Sequence, residues 1–221
     1  MRVRRYAVPI CLLLLSAVSL CGCQLGAAAV IGGTRMASKE SVTMKAQYTI
    51  GNRPIVVIPF RDQYHTYYES RDGVDLATFV VGELAKHDAA TNVRPDTGLR
   101  EAFAGRDLAT VGWDKVAEQA GAELVLVGTI ERFRLKDPKT YLMMRGNCIV
   151  NCFLYDAKTK VVVHRIPRIE VWYPETGQGI AESDVTDQER FRETVLSITA
   201  LKIVQHYYTW EQMIRPEPRR F

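Results

Sequence analysis

Hydrophobic and polar residues alternate along the chain in ways that predict two kinds of strand. From Ser41 to Ile50 apolar side chains occupy every second position, which predicts a half-buried strand. After the polar turn GNRP comes the continuous apolar run IVVIPF at 55–60, which is typical of a central strand covered on both faces. A second run of this kind, ELVLVGTIERFRL at 123–135, predicts another strong strand.

Apolar residues at helical spacing predict two longer helices. The first starts near Asp72, the expected N-cap, and covers VDLATFVVGELAKH at 74–87. Its expected inward stripe consists of Val74, Ala77, Val81 and Leu84. The second follows the capping-box spacing of Thr186 and Glu189 and continues until Pro216 stops it. Its expected inward stripe consists of Phe191, Val195, Ile198, Leu201 and Tyr208.

Shorter elements are expected between these helices. We predict a weak strand at 91–95 and helices at 97–105 and 113–122, the second of which ends near Gly121. Residues 141–173 predict a long hairpin that turns at 156–159. The apolar face of its first arm consists of Leu142, Met144, Cys148, Val150, Cys152 and Leu154.

The order of these elements predicts one α/β (α+β) domain over residues 41–215. We expect a mixed sheet of about five to six strands with helices packed on it and a long C-terminal helix. The second arm of the hairpin carries His164, Arg165, Arg168 and Glu170 on mixed faces, which suits water better than lipid.

The N-terminal segment MRVRRYAVPICLLLLSAVSLCGC has the pattern of an export signal. Three arginines precede an apolar core from Ile10 to Leu20, which is shorter than the roughly 20 residues of a membrane-spanning helix. Leu20-Cys21-Gly22-Cys23 resembles the bacterial lipobox, although Ala or Ser is commoner where Cys21 stands. The alternative is a plain N-terminal membrane helix.

The lipobox resemblance implies a division of the N-terminal region. Residues 1–22 would be a lipoprotein signal peptide, and Cys23 would carry covalent acyl chains such as palmitate that anchor the protein in a membrane. Residues 23–40, rich in Ala and Gly, would form a lipidated tether. Gln24 after the lipidated Cys resembles outer-membrane sorting in Gram-negative bacteria. Residues 216–221 are a short basic tail.

Removal of the signal peptide also changes the charge and the number of cysteines. The three arginines before Cys23 account for much of the formal charge of +4, and without them 26 basic residues face 25 acidic ones. This balance gives no electrostatic support for nucleic-acid binding. Besides Cys23, only Cys148 and Cys152 remain, and four residues apart on one strand they lie too far apart for a disulfide. We interpret them as buried hydrophobic residues.

Motifs of known catalytic, nucleotide or metal sites are absent from the sequence, and the four histidines are scattered singly. We therefore predict a protein that is not an enzyme and has neither metal nor cofactor apart from the lipid on Cys23. The candidate partner-binding residues are aromatic side chains in the loop after the first buried strand: Tyr64, His65, Tyr67 and Tyr68. The alternative is that these rings fold back over the edge of the sheet.

One stretch of the chain resembles a known superfamily. A strand ending in Pro59-Phe60, an amphipathic helix, and then Gly121-Ala122 leading through a strand with Gly128 and Ile130 is similar to the small periplasmic α/β lipoprotein domains. These include the curli-secretion lipoprotein, the Pel export lipoprotein, the lipoprotein activators of penicillin-binding proteins and the N-terminal domain of the Tol β-propeller protein. The resemblance covers about residues 54–135 and implies the fold and a cell-envelope location.

Two functions fit this combination of anchor and domain. The first is a non-catalytic adaptor, lipid-anchored in the outer membrane and facing the periplasm, that binds an envelope protein or polymer. The second is a subunit of an oligomeric outer-membrane export or secretion assembly, which would make the protein a homo-oligomer. An enzyme of unrecognised type is a distant third alternative.

Overall fold

A computed structural model describes residues 40–63, 70–94, 96, 98–103, 106–140, 142–175 and 177–214. These residues divide into two compact units, a small one with residues 40–43 and 211–214, and a main one over Met44–Trp210. The elements in chain order are β1 (Glu40–Met44), β2 (Ile55–Val57), β3 (Arg61–Asp62), α1 (Arg71–Lys86), β4 (Val93–Arg94), α2 (Leu99–Ala102), α3 (Leu108–Val111), α4 (Trp113–Ala120), β5 (Leu124–Lys136), β6 (Met143–Asp156), β7 (Val161–Tyr173), β8 (Ile180–Ala181), α5 (Gln188–Val204) and β9 (Trp210–Ile214).

The main sheet is mixed, as predicted, and has seven strands among the described residues. Its order is β4-β2-β5-β6-β7, with β3 also paired to β5 and β8 also paired to β6. Strands β4, β2, β3 and β5 run parallel, whereas the pairs β5-β6, β6-β7 and β6-β8 are antiparallel. Strand β2 lies between two neighbours and is fully buried, which confirms the prediction for the run at 55–60.

Helices cover the two faces of this sheet unequally. Helices α1 and α5 pack on one face and form the larger core with the apolar side of β6 and β7. Gly146 of β6 permits this approach, because a Cβ at that position would overlap the side chain of Val195 in α5. Helices α2 to α4 form a smaller core on the opposite face, which contains Val56, Val125 and Val127 of the parallel strands. The antiparallel end of that face lies beyond this second core.

The motif that carries the superfamily resemblance is explained by one close contact. The ring of Phe60, at the end of the motif's first strand, lies directly on Gly128 in the middle of β5, where any Cβ would overlap it. The backbone of Phe60 also donates to the carbonyl of Gly73 at 3.1 Å, and Gly73 has no room for a side chain against Phe60. Phe60 is fully buried, and the two ends of the motif meet at its ring while helix α1 meets its backbone.

The strand predicted over 41–50 is wrong beyond Met44. Strand β1 ends there, and its partner is β9 in a separate two-stranded sheet. Residues after Met44 are held differently, since the backbone N–H groups of Gln47 and Tyr48 both donate to the carbonyl of His206, at 2.8 and 3.1 Å. Of the alternating apolar positions only Ile50 is fully buried.

Both long helices differ from prediction at their ends. Helix α1 is capped by Ser70, whose hydroxyl accepts from Gly73 N at 3.1 Å, rather than by Asp72. Helix α5 is capped by Asp187 instead of Thr186, and it ends at Val204, well before Pro216, because the chain turns into β9. Tyr208 therefore lies outside the helix.

The buried stripes of these helices are also displaced. In α1, Leu76 and Val80 are buried while Val74 is 39% exposed, because Gly73 must face Phe60 and this fixes the rotation of the helix. In α5 the buried residues are Phe191, Arg192, Val195, Leu196, Thr199, Ala200, Ile203 and Val204, a stripe that is wider than expected because the helix packs on both α1 and the sheet.

Two smaller differences concern single segments. Leu142 was expected on the apolar face of the hairpin but is 76% exposed, since β6 begins only at Met143. Helix α3, capped by the side chain of Asp107, was not predicted. The hairpin turn after Asp156 and the end of α4 at Gly121, which has a left-handed backbone with φ of 63°, are confirmed.

Candidate functional site

The residues predicted to bind lipid or a partner lie outside the described residues. They are Cys23 in the N-terminal region and Tyr64, His65, Tyr67 and Tyr68 in the aromatic loop. On either side of that loop the described residues are Gln63, whose N–H donates to Ile130 O at 3.0 Å, and Ser70, the cap of α1. The loop therefore joins β3 to α1, and its role in binding stays a prediction.

A polar surface of the main unit provides a second candidate site. It is the side of the β5-β6-β7 sheet that faces away from α1 and α5, at its antiparallel end, and we name it the hairpin face. Strand register places its residues in rows across the three strands, with Arg132 opposite Ile149 and Glu170, and Arg134 opposite Asn147 and Trp172. The hairpin face comprises Glu131, Arg132, Arg134, Arg145, Asn147, Ile149, Arg168, Glu170 and Trp172.

Hydrogen bonds and ion pairs connect much of this face. The Arg145 guanidinium lies 4.6 Å from the centre of the Trp172 ring, and the Trp172 indole N–H donates to Glu170 at 3.0 Å. The Asn147 amide donates to the carbonyl of Val171 at 3.1 Å. Arg168 bridges strands through Glu131 at 3.8 Å and Glu170 at 3.6 Å. These contacts fix Trp172 and the acidic groups in place.

Other groups of the hairpin face have no partner within the described part of the chain. Asn147 is only 2% exposed, yet its Oδ1 accepts no hydrogen bond, and the buried Nε of Arg145 donates none. Arg132 and Arg134 are exposed, and neither forms an ion pair with a described acidic residue. The surface therefore has unused positive charge next to unused hydrogen-bonding groups.

A cluster of aromatic and histidine side chains lies near the start of β7. The His164 ring stacks on Tyr48 with centroids 5.8 Å apart, and it contacts the rings of His206 at 5.7 Å and Tyr207 at 5.8 Å. His206 Nδ1 lies 2.9 Å from Gln47 Oε1. The His164 Nε2 and the Tyr207 hydroxyl are buried and have no partner among the described residues. We call these residues the histidine cluster.

Burial determines the protonation of this cluster. It lowers the pKa of His164, and burial together with the nearby His164 lowers the pKa of His206. Burial also raises the pKa of Tyr207 well above its usual value. Both imidazoles and the Tyr207 hydroxyl are therefore neutral near pH 7. The two histidines are far apart in the sequence, which does not indicate that they meet.

A buried arginine joins the two long helices. Arg192 of α5 is bound by Asp72 at 2.7 Å, Asp75 at 2.6 Å and Glu189 at 2.8 Å, and its side chain is 8% exposed. Burial by itself lowers the pKa of Arg192, but the hydrogen bonds to Asp75 and Asp72 outweigh it and raise the pKa. Glu189, the acidic residue in the first turn of α5, is thus part of this structural ion pair.

Among the described residues, no group of three or more His, Cys, Asp or Glu side chains is arranged to hold a metal ion. Among the same residues no helix is both long and apolar enough to cross a membrane.

Comparisons with known proteins give matches only among solved structures. No family model and no curated protein matches the chain. A PelC dodecamer from Paraburkholderia phytofirmans is 17% identical with a TM-score of 0.46, over 76% of this chain and 98% of that one. Lipoprotein GNA1162 from Neisseria meningitidis is 14% identical with a TM-score of 0.46, over 69% and 99%. The C-terminal domain of LpoB from Salmonella enterica is 10% identical with a TM-score of 0.37, over 57% and 87%.

PelC and LpoB are of the lipoprotein types that the sequence pattern at 54–135 resembles. The matches also include TolB from Acinetobacter baumannii, at 14% identity and a TM-score of 0.36, over 76% of this chain and 31% of that one. Since identities and TM-scores are all low, the likeness carries no inference about function, which depends on the residues of this chain.

Proposed function

We propose that the protein is a lipid-anchored, non-catalytic adaptor of the cell envelope. Acyl chains on Cys23 hold it in the outer membrane, and the domain faces the periplasm, where it binds an envelope protein. The observation that carries this proposal is the hairpin face, a polar surface with two arginines that form no ion pair among the described residues and a tryptophan in contact with Arg145 and Glu170. Arg and Trp are enriched where proteins bind one another.

The lipobox sequence supports the anchored part of this proposal. The sequence between Cys23 and β1 has the Ala- and Gly-rich composition of a linker, and a linker of this length would allow the domain to reach about 20 Å from the membrane, which suits binding to a neighbouring envelope protein. The aromatic loop at 64–68 would contribute a further part of the binding surface.

The test compares the full chain with its Cys23→Ala variant in the native host. Intact mass of the membrane-extracted protein should show cleavage before Cys23 and added acyl chains, whereas the variant should lack both and leave the membrane fraction. Chemical crosslinking of the membranes should then join the wild-type protein to a second protein. A mature protein without acyl chains, or one crosslinked to nothing, contradicts the proposal.

The same crosslinking experiment distinguishes the adaptor from a subunit of an oligomeric export assembly. An adaptor should give an adduct of two different proteins. An oligomeric subunit should give a ladder of regular multiples of its own mass, and such a ladder as the main product would replace the adaptor by the assembly.

A further inference from the structure

Two arginines of the hairpin face have charge that the domain does not use. The other two basic side chains of this face each contact an acidic group: Arg145 lies 3.9 Å from Asp137, and Arg168 pairs with Glu131 and with Glu170. Arg132 and Arg134 form no ion pair within the described residues. Both are exposed on β5.

The spacing of these two arginines is fixed by the sheet. Arg132, Phe133 and Arg134 pair with β6 in regular register, so no bulge falls between them. Two positions along a strand place their Cα atoms roughly 7 Å apart on the same face. A guanidinium binds a carboxylate through two parallel hydrogen bonds, so this pair can bind two carboxylates at a similar separation.

The part of β6 that lies between the two arginines and β7 forms a floor that is shielded from water. Ile149 and Asn147, which lie opposite Arg132 and Arg134, are 1% and 2% exposed beneath the longer side chains. Ion pairs and hydrogen bonds next to such a floor are screened less than those on an open surface. The unpartnered Oδ1 of Asn147 lies in the row of Arg134, and the unpartnered Nε of Arg145 belongs to a residue two positions earlier on β6.

The acidic residues on the hairpin face determine what kind of partner it fits. Glu131 and Glu170 lie among the arginines, so a uniformly anionic surface, whether lipid headgroups or an acidic polysaccharide, would meet like charge. A protein can present carboxylates to the arginines and donors to the glutamates at the same time. Trp172, fixed between Arg145 and Glu170, adds a flat apolar contact of the kind found at protein interfaces.

We propose that the hairpin face is the docking surface for an acidic protein, which places two carboxylates on Arg132 and Arg134. This inference rests on the proposed adaptor function and names the surface and the chemistry of its partner. Trp172 and the paired glutamates then give specificity, while the two free arginines give the charge attraction.

The test uses the full chain in its native membrane, with a photoreactive benzophenone side chain in place of Lys136, which is exposed and lies two residues after Arg134 on β5. The matched position is Thr78, which is exposed on α1. Irradiation should give one discrete protein adduct from position 136 and none from position 78. Arg132→Glu with Arg134→Glu should reduce the adduct about tenfold or more, which corresponds to about 1.4 kcal/mol.

A second pair of reversals controls for net charge. Arg190→Glu with Lys202→Glu makes the same charge change on exposed positions of α5 and should leave the adduct unchanged. Mass spectrometry of the adduct identifies the partner and its coupled site, and changing the partner's carboxylates next to that site to Lys should restore the adduct with the doubly reversed variant. If the double Glu variant unfolds, Arg132→Gln with Arg134→Gln decides on the same readout.

Several results would overturn the docking surface. They are an adduct that consists of lipid or glycan, an adduct insensitive to the loss of both arginines, or the absence of any adduct from position 136. A partner found by chemical crosslinking that never couples to position 136 rejects this surface and leaves the adaptor function standing. If the wild-type protein carries no acyl chains and also crosslinks to no partner, the adaptor function itself is rejected.

Discussion

The imidazole rings of His164 and His206 lie 5.7 Å apart, although one residue is in β7 and the other follows α5. Together they hold the segment after β1, because Tyr48 stacks on His164 and Gln47 contacts His206 through both its side chain and its backbone. The neighbouring charges are Arg53, which contacts the Tyr48 hydroxyl, and Asp156, which Arg53 binds at 3.1 Å. Because Asp156 already pairs with Arg53, a positive charge gained by protonation of either histidine would be poorly compensated.

We predict that acid destabilises the main unit through this pair. Burial lowers the pKa of His164 and of His206, so the unfolded chain takes up protons first as the pH falls. The contribution of the two neutral rings is fully present above about pH 6.5 and decreases progressively below it. Thermal unfolding between about pH 7.5 and about pH 5.5 should show the melting temperature falling.

His206→Gln provides the specific test of this assignment, because it removes one titrating ring and keeps a polar side chain near Gln47. Its melting temperature should depend less on pH than that of the wild type. The matched control is His87→Gln, which removes a histidine that stacks on Tyr208 outside the cluster. An equal pH dependence in wild type and His206→Gln would show that the cluster is not responsible.

A second prediction concerns the contact between Phe60 and Gly128. Gly128→Ala places a methyl group inside the Phe60 ring, and neither a buried ring nor the central strand can move away freely. The free energy of unfolding should fall by about 1–3 kcal/mol or more, measured by urea denaturation. Phe60→Leu should reduce the additional cost of Gly128→Ala, since the smaller side chain leaves room for the methyl group.

Gly82→Ala is the matched control for that substitution. Gly82 is on the exposed side of α1, and a Cβ there has no heavy atom within 4 Å. Since Ala favours a helix over Gly by about 1 kcal/mol, this change should stabilise the protein slightly. If Gly128→Ala behaves like Gly82→Ala, the Phe60 ring is not packed on Gly128 as described.

Much of the fold could be predicted from the sequence because several elements carry their signal within a few residues. The buried strands β2 and β5, the hairpin and the end of α4 at Gly121 each follow from a local run or a single turn residue. The predictions that were wrong depend on contacts with distant parts of the chain. The rotation of α1 is set by Phe60, and the strand after Ser41 ends early because its partner is β9. Neither neighbour is visible in the local pattern.

The candidate sites were harder to predict for the same reason. The two arginines of β5 look like ordinary exposed positions until strand register places them beside Asn147, Glu170 and Trp172. A signal was present, since Arg132 and Arg134 alternate with Phe133 on a long strand, but the identity of the facing residues needed the pairing.

Arg192 is predicted to be the most important charged residue for stability. Arg192→Leu removes the cation that joins Asp72, Asp75 and Glu189, and it leaves three carboxylates close together at the contact of α1 with α5. We expect a loss of about 2–4 kcal/mol in the free energy of unfolding, reduced from the fully buried case because the carboxylates are partly exposed. Urea denaturation at neutral pH measures it.

Arg71→Ala is the control for that loss. Arg71 contacts Glu189 at 2.6 Å, but its side chain is 71% exposed, so its removal should cost only about 0–1 kcal/mol. The free energy of unfolding of Arg192→Lys should lie between those of Arg192→Leu and Arg71→Ala, because Lys keeps the charge and loses the forked geometry of the guanidinium. Equal stability of Arg192→Leu and Arg71→Ala would contradict the structural role of the buried ion pair.

The aromatic loop can be tested separately from the hairpin face. Tyr67→Ala with Tyr68→Ala should leave the melting temperature nearly unchanged and weaken association with the crosslinked partner by a few kcal/mol, if both rings are exposed binding residues. Quantitative crosslinking in membranes together with a thermal melt measures both effects. A double variant that unfolds would instead assign these rings to the core.

The last prediction concerns the three cysteines expected in the mature chain. Cys148 and Cys152 are free and buried on the same side of β6, and burial raises the pKa of Cys148 to about 12 and that of Cys152 further. Because the thiolate is the reactive form, iodoacetamide near pH 8 should modify neither residue until denaturant is added. Peptide mapping should give the same result with and without a reducing agent, while Cys23 should be unreactive in both states because its sulfur carries lipid. Modification of Cys148 or Cys152 in the native protein, or a reducible bond between them, would contradict the buried-thiol assignment, and alkylation of Cys23 would contradict the anchor.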